Sequence, residues 1–206
     1  MLFSYYARHR KLLINIYFCI RNLDEMGQYQ KNRNIFFIKF RDWNLKLYNK
    51  FVSNPPYLDS DKVFPENKIL EENWMVIKDE INSILEKTNS LPKFHDVDDG
   101  QEFISNNDGI AWNMFLVKTY GFWNKHNTKL CPNIVKLFKP LKNVTSISIS
   151  FLSPGKHIPP HNGPYKGILR YQLAISVPKD GNCQLFVDNK PYSWIEGKGV
   201  TFDDTY

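Results

Sequence analysis

Two strictly alternating runs, joined by a turn too rich in proline and glycine to be helical, constrain this chain more than anything else in it. In residues 144–152, Ser146, Ser148 and Ser150 fall on one face, with Ile147, Ile149 and Phe151 on the other. That period of two is the mark of a strand whose faces differ in burial. From residue 169 onward Leu169, Tyr171, Leu173, Ile175 and Val177 share a face, with Arg170, Gln172, Ala174 and Ser176 opposite. Between the runs, Pro154, Gly155, Pro159 and Pro160 fix the backbone before His161, and Gly163, Pro164 and Gly167 shape it afterwards. A histidine at the lip of a turn and an arginine inside the following strand can converge on one pocket. Such a pair would hold a metal and an anionic ligand beside it. The serine row is either a solvent-facing surface or the lining of a cavity, and the pattern leaves both open.

The rest of the chain supplies what such strands pack on. Leu70, Trp74, Ile77, Ile81 and Ile84 recur at helical steps over residues 68–87, with Glu71 and Glu72 in the first turn, where the helix dipole favours acids. Trp74 belongs to that buried stripe and carries no chemistry. Residues 54–65 read as a connector and residues 89–109 as a solvated polar loop, without the ligand alternation of a calcium site. Residues 114–118 read as a strand, and residues 132–138 as a short helix with proline in its first turn. Residues 183–188, 192–195 and 199–202 are short strands punctuated by turn residues. Helices first and many short strands afterwards predict an α+β, mainly β chain, with N-terminal helices packed on a β-barrel.

The chain's formal net charge of +6 is unevenly placed. Residues 1–60 hold ten Lys and Arg against four acids, while the remainder holds 17 of each sign. Residues 1–60 therefore read as a basic, aromatic-rich arm and 61–206 as the domain that bears the chemistry. The arm's longest charge-free stretch, residues 12–20, is far shorter than the ~20 residues of a membrane span. It reads either as a cap packed on the barrel or as a surface lying on anionic membrane. Nucleic acid is not expected, since no recognition motif accompanies the charge. Cys19, Cys131 and Cys183 show no zinc spacing and read as buried thiols. With no leader sequence evident, they point to the cytoplasm, with membrane association through the arm as the alternative.

Several short motifs now line up: Pro160, His161, Asn162, Gly163 and Pro164; then Gly167, Ile168, Leu169 and Arg170; then Trp194, Glu196, Gly197 and Lys198; and finally Phe202, Asp203 and Asp204. Together they resemble the aspartyl/asparaginyl β-hydroxylase family, Fe(II)- and 2-oxoglutarate-dependent dioxygenases on a double-stranded β-helix, or jelly roll. Asn54, Pro55, Pro56 and Tyr57, with Phe64, Pro65 and Glu66, Asn73 and Trp74, and the Phe202–Tyr206 ending, are similar to the branch containing bacterial lipid A 2-hydroxylases. The resemblance covers roughly residues 54–206.

It implies roles for particular residues. His161 is the first iron ligand. Gly163 stands where the commonest iron motif has a carboxylate, a departure that family members share. Arg170 clamps one carboxylate of the 2-oxoglutarate cosubstrate, with an alternative role in a structural salt bridge. Ser150 and Trp112 line the cosubstrate pocket, Trp112 being as readily a core residue. Gln172 takes a position where the family often has histidine. Asp203 and Asp204 are turn residues. His157 is a surface residue, and His9, His95 and His126 carry no pattern. The family's second iron-binding histidine and a further cosubstrate arginine would fall beyond Tyr206. The expectation is therefore a hydroxylase read without its last strand, acting on an Asp or Asn side chain of a polypeptide or on a lipid acyl chain. The alternative is a catalytically incomplete jelly-roll binding module.

Overall fold

A computed structural model describes residues 13–21, 43, 46–48, 51–98, 102–163, 167–179 and 183–206. Most of the basic arm and the tip of the turn at 164–166 lie outside the described residues. In chain order the elements are β1 (Leu13–Arg21), β2 (Tyr57–Leu58), α1 (Ser60–Val63), α2 (Asn67–Glu72), α3 (Trp74–Lys87), α4 (Phe94–Val97) and α5 (Glu102–Ser105). They continue with β3 (Trp112–Thr119), β4 (Phe122–Trp123), a 3₁₀ turn (Asn127–Lys129), α6 (Pro132–Phe138), β5 (Val144–Leu152), β6 (Ile168–Ser176), β7 (Gln184–Val187), β8 (Lys190–Ser193) and β9 (Gly199–Phe202).

Seven strands form one antiparallel sheet in the order β2-β9-β6-β1-β5-β3-β4, and β7 pairs with β8 in a separate hairpin. The chain is thus a mixed, β-rich α/β fold. The two sheets do not close into a barrel among the described residues.

One face of the large sheet carries the main core. Ile147, Ile149, Leu173 and Ile175 are fully buried there, together with Tyr171. Against them lies the apolar stripe of α3, whose Ile77, Ile81 and Ile84 have no exposed surface. Fully burying each such side chain contributes about 1.5–3 kcal/mol. The helix expected over 68–87 is two helices, broken at Asn73, whose side-chain amide donates to the Ile69 carbonyl at 2.8 Å. Competition of this kind with the backbone is how asparagine interrupts a helix. The Glu80 carboxylate ties α3 to α6: it accepts from the N–H groups of Asn133 and Ile134 at 2.8 and 2.7 Å. Those donors lie in the first turn of α6, after Pro132.

Two expectations need correction. Residues 89–109 are not a plain solvated loop: α4 and α5 form there, Ile104 is fully buried, and Phe94 stacks on Trp112 with ring centroids 4.1 Å apart. Their apolar residues are widely spaced, so no periodicity announced them. The second concerns residues 12–20, read as part of an arm of helices. Residues 13–21 are instead the middle strand of the large sheet, antiparallel to both β5 and β6.

The register explains why β1 fits there. Ile16 and Phe18 fall in rows with Ile149 and Leu173, and with Ile147 and Tyr171, the core face of the sheet. Asn15, Tyr17 and Cys19 fall in rows with Ser150, Ser148 and Ser146. A slip of one residue would exchange the two sets.

Candidate active site

The opposite face of the sheet is built differently. Two apolar clusters flank it. One joins Trp112, Met114, Leu152 and Ile104; the other joins Ala174, Val187, Trp194, Val200 and Phe202. Between them run the polar positions of β5 and β6, where Ser146 and Ser148 are half-buried and Ser150 alone of the serine row is fully buried. Ser150 has no exposed surface and Gln172 is 6% exposed. The Trp112 indole N–H donates to Ser150 Oγ at 2.6 Å. Trp112 is buried by Phe94 on its face and held by Ser150 at its edge, so the structure makes it a core residue with one directed hydrogen bond. A buried indole N–H left without an acceptor would cost about 1–3 kcal/mol.

The β5–β6 loop carries His161 to one end of this face. Its anchor is Lys156, whose fully buried ammonium donates to the carbonyl of Ser105, to Asn107 Oδ1 and to Asp108 Oδ1 at 2.8, 2.9 and 2.7 Å. Burial of Asp108 works against its charge. The Lys156 ammonium and the N–H groups of His157 and Ile110 outweigh that, and hold its carboxyl down to about 2. His157 is exposed and takes part through its backbone alone, as expected of a surface residue.

His161 is exposed, with Nδ1 2.9 Å from the Pro159 carbonyl oxygen. A carbonyl only accepts, so Nδ1 is the donor in this contact and Nε2 is the ring nitrogen not engaged by it.

The segment after β9 closes against this loop. Gly163 N–H donates to the Asp204 carbonyl at 2.5 Å, and the Asn162 amide donates to the Thr205 carbonyl at 3.1 Å. Asp203 is fully buried: Oδ1 accepts from the Thr205 N–H and hydroxyl, and Oδ2 from the Asn54 amide. The Tyr206 hydroxyl donates to the Asn54 carbonyl. Asp203 therefore organises a turn, as the sequence suggested, and Asn54 of the connector joins it there.

Asp204 does more than turn the chain. Its Oδ2 accepts from Arg170 Nε at 2.6 Å, and its carboxylate stands about where a Cβ on residue 163 would be, 2.2 Å away at the nearest. Gly163 is therefore demanded by the close approach of a carboxylate. Of the residues read from the sequence, the structure brings Trp112 and Ser150 into contact, and sets Arg170 on the same face as Gln172. His161 lies two residues before Gly163, whose N–H is bonded to Asp204, the partner of Arg170. The Asp204–Arg170 pair was not legible, because nothing local links residues 34 apart. The salt-bridge alternative for Arg170 is realised.

With this geometry in place, comparison with known proteins identifies a family. The family model described as Aspartyl/Asparaginyl beta-hydroxylase matches residues 71–206, and the chain belongs to this family. The chain is 33% identical over 174 residues to the ornithine lipid ester-linked acyl 2-hydroxylase of Rhizobium tropici, covering 83% of this chain and 61% of that protein. It is 28% identical over 176 residues to the aspartyl/asparaginyl beta-hydroxylase of Homo sapiens, covering 80% of this chain and 22% of that protein. The chain thus spans less than two thirds of the length of either relative. No helix among the described residues is long and apolar enough to cross a membrane.

Proposed function

We propose that this chain is an Fe(II)- and 2-oxoglutarate-dependent hydroxylase on a double-stranded β-helix, acting on a lipid acyl chain or on an Asp or Asn side chain of a polypeptide. The 33% identity to an acyl 2-hydroxylase favours the lipid. The observation that carries the reading is the 2.9 Å contact of His161 Nδ1 with the Pro159 carbonyl, an arrangement that orients the ring and leaves Nε2 for a metal.

Among the described residues no three His, Cys, Asp or Glu side chains form a group able to hold a metal ion. His161 fits as one ligand, and cosubstrate and water would take further positions. When bound, iron and 2-oxoglutarate supply the oxidation: one atom of O₂ enters the substrate C–H bond, and the other enters succinate as CO₂ leaves. The protein's own part is placement. Arg170 binds a cosubstrate carboxylate through its guanidinium fork, which requires Asp204 to share or yield it. Ser150, locked by Trp112, offers its hydroxyl to the same ligand, Gln172 lines the floor, and the flanking apolar clusters keep water out.

A second reading, a binding module without turnover, is favoured by the Asp204 carboxylate already seated on Arg170. One experiment separates the two. The chain is incubated with Fe(II), ascorbate and 2-oxoglutarate, with an ornithine lipid or an Asp- and Asn-containing peptide as substrate. Succinate is quantified, and the substrate is weighed by mass spectrometry for one added oxygen. Succinate coupled to lipid oxidation is expected. Binding of 2-oxoglutarate without succinate selects the module, and no binding at all overturns both.

A further inference from the structure

We propose that the turn between β3 and β4, with the lysines that follow it and precede β5, is a surface that docks on an anionic lipid bilayer. The proposal rests on the lipid side of the reading above and names where such a substrate is met.

Between Asp108 and Asp180 the chain has no acidic residue, and it has ten Lys and Arg. Lys125 follows β4 by two residues, Lys139 and Lys142 lead from α6 into β5, and all three are exposed. Among the described residues none of these three makes an ion pair. Lys118 adds a charge beneath them: its ammonium donates to the Val144 carbonyl at 2.6 Å and lies 5.1 Å from the centre of the Trp123 ring. Lys129 opens instead on a cleft shared with Asp79 and Glu80 of α3.

The turn itself is apolar and stiff. Phe122 is 78% exposed and Tyr120 58%. Tyr120 and Gly121 have φ of +47° and +89°, the pattern of a two-residue type I′ turn, although a tyrosine is uncommon there. Two bonds hold the turn on β5. The Tyr120 N–H donates to Ser146 Oγ at 3.1 Å, and the Gly121 N–H to the Thr145 carbonyl at 2.7 Å. Aromatic rings already fixed in place lose little further freedom on binding. Rings beside unpaired lysines suit the boundary between anionic headgroups and acyl chains. The β7–β8 hairpin exposes Phe186 in a similar way, but Lys190 is paired there with Asp188, so charge gives it no preference for an anionic surface.

Register sets the turn at the end of the sheet that the site occupies. Ser146 stands in the row of Cys19, and Cys19 in the row of Arg170. From β3 to β6 is three strand spacings, about 14 Å. Docking by this turn brings the bilayer to the end that holds Arg170 and the His161 loop.

The full chain is mixed with vesicles of phosphatidylcholine, alone or with phosphatidylglycerol, and the bound fraction is measured by sedimentation at low and high salt. Iron and cosubstrate are left out. Binding to the anionic vesicles at low salt is expected. Lys139→Glu with Lys142→Glu should weaken it at least about tenfold. Lys62→Glu with Lys68→Glu makes the same change of charge beside β9 and should weaken it less than about twofold. Phe122→Ser should reduce the binding that persists at high salt, where the charges are screened, and Phe186→Ser should not. Thermal unfolding shows whether each variant keeps the fold. Equal losses in the two double variants would mean that net charge rather than this surface binds lipid, and would overturn the inference. Full binding by the Lys139, Lys142 and Phe122 variants would overturn it too, and return any membrane contact to the basic arm. So would no binding by the unsubstituted chain, or displacement of the vesicles by oligouridine, which would assign the surface to nucleic acid. None of these outcomes alters succinate formation, on which the reading above is tested separately.

Discussion

Ile149 and Ser150 are neighbours on β5, both without exposed surface, and they are buried for opposite reasons. Ile149 enters a continuous apolar cluster with the stripe of α3, where attraction is undirected and volume is what matters. Ser150 enters a face where its hydroxyl accepts the Trp112 indole N–H at 2.6 Å. The core face tolerates any residue of suitable shape, whereas the site face fixes direction as well as volume. On the core face the strand contributes undirected packing; on the other it contributes a directed polar contact.

The largest effect expected from breaking this contrast lies on the core face. Ile149→Ala should cost about 2–5 kcal/mol of unfolding free energy by denaturant titration. A cost below about 1 kcal/mol would mean that the face is loosely packed. Arg170→Ala should come next and change a different quantity. Affinity for 2-oxoglutarate should fall at least about a hundredfold, or about 3 kcal/mol, while the protein stays folded. Arg170→Lys should restore little, because a point charge does not reproduce the planar fork. Unchanged affinity in the alanine variant would leave Arg170 a purely structural partner of Asp204.

Ser150→Ala sharpens the comparison at a smaller scale. It leaves the indole N–H of Trp112 facing a methyl group, which costs about 1–3 kcal/mol if no water replaces the hydroxyl. Trp112→Phe removes donor and bond together, so in the double variant the second substitution should cost less than alone. Strict additivity, measured by a double-mutant cycle, would show that the hydrogen bond carries no net energy.

The two faces also differ in how far they could be read from the sequence. Alternation gave β5 and β9 to the residue and β6 nearly so, and proline gave the start of α6, because each of those signals is local. The place of β1 was not local. Ile14, Ile16, Phe18 and Ile20 do alternate with Asn15, Tyr17, Cys19 and Arg21, but basic flanks made the stretch look like an arm. Nothing in its own residues says that its neighbours are β5 and β6. The site divides similarly. His161, Arg170, Ser150 and Trp112 could be singled out from the sequence, but Asp204 as the partner of Arg170 and Lys156 as the anchor of the loop depend on contacts between distant segments. Gly163 was legible as a missing carboxylate; the carboxylate occupying its place comes from the other end of the domain.

The smallest effect expected concerns the anchor of the His161 loop, and it is read by pH. Asp108 accepts the Lys156 ammonium at 2.7 Å and the His157 N–H at 3.0 Å, and its carboxyl is held down to about 2. An unfolded aspartate titrates near 3.9. Because the folded value is the lower one, the unfolded chain binds its proton first as pH falls. The contribution of Asp108 is therefore complete above about pH 5 and is lost as pH drops through 4 towards 2. Asp108→Asn removes the charge at every pH, so its deficit against the unsubstituted protein should be constant from pH 8 to pH 5 and shrink below pH 4. The local readout is the amide of His157, which should exchange with solvent faster in Asp108→Asn, while amides in β5 and β6 keep their protection. Equal acceleration in β5 would mean that loop and sheet open as one unit, and the site face would then be no softer than the core behind it.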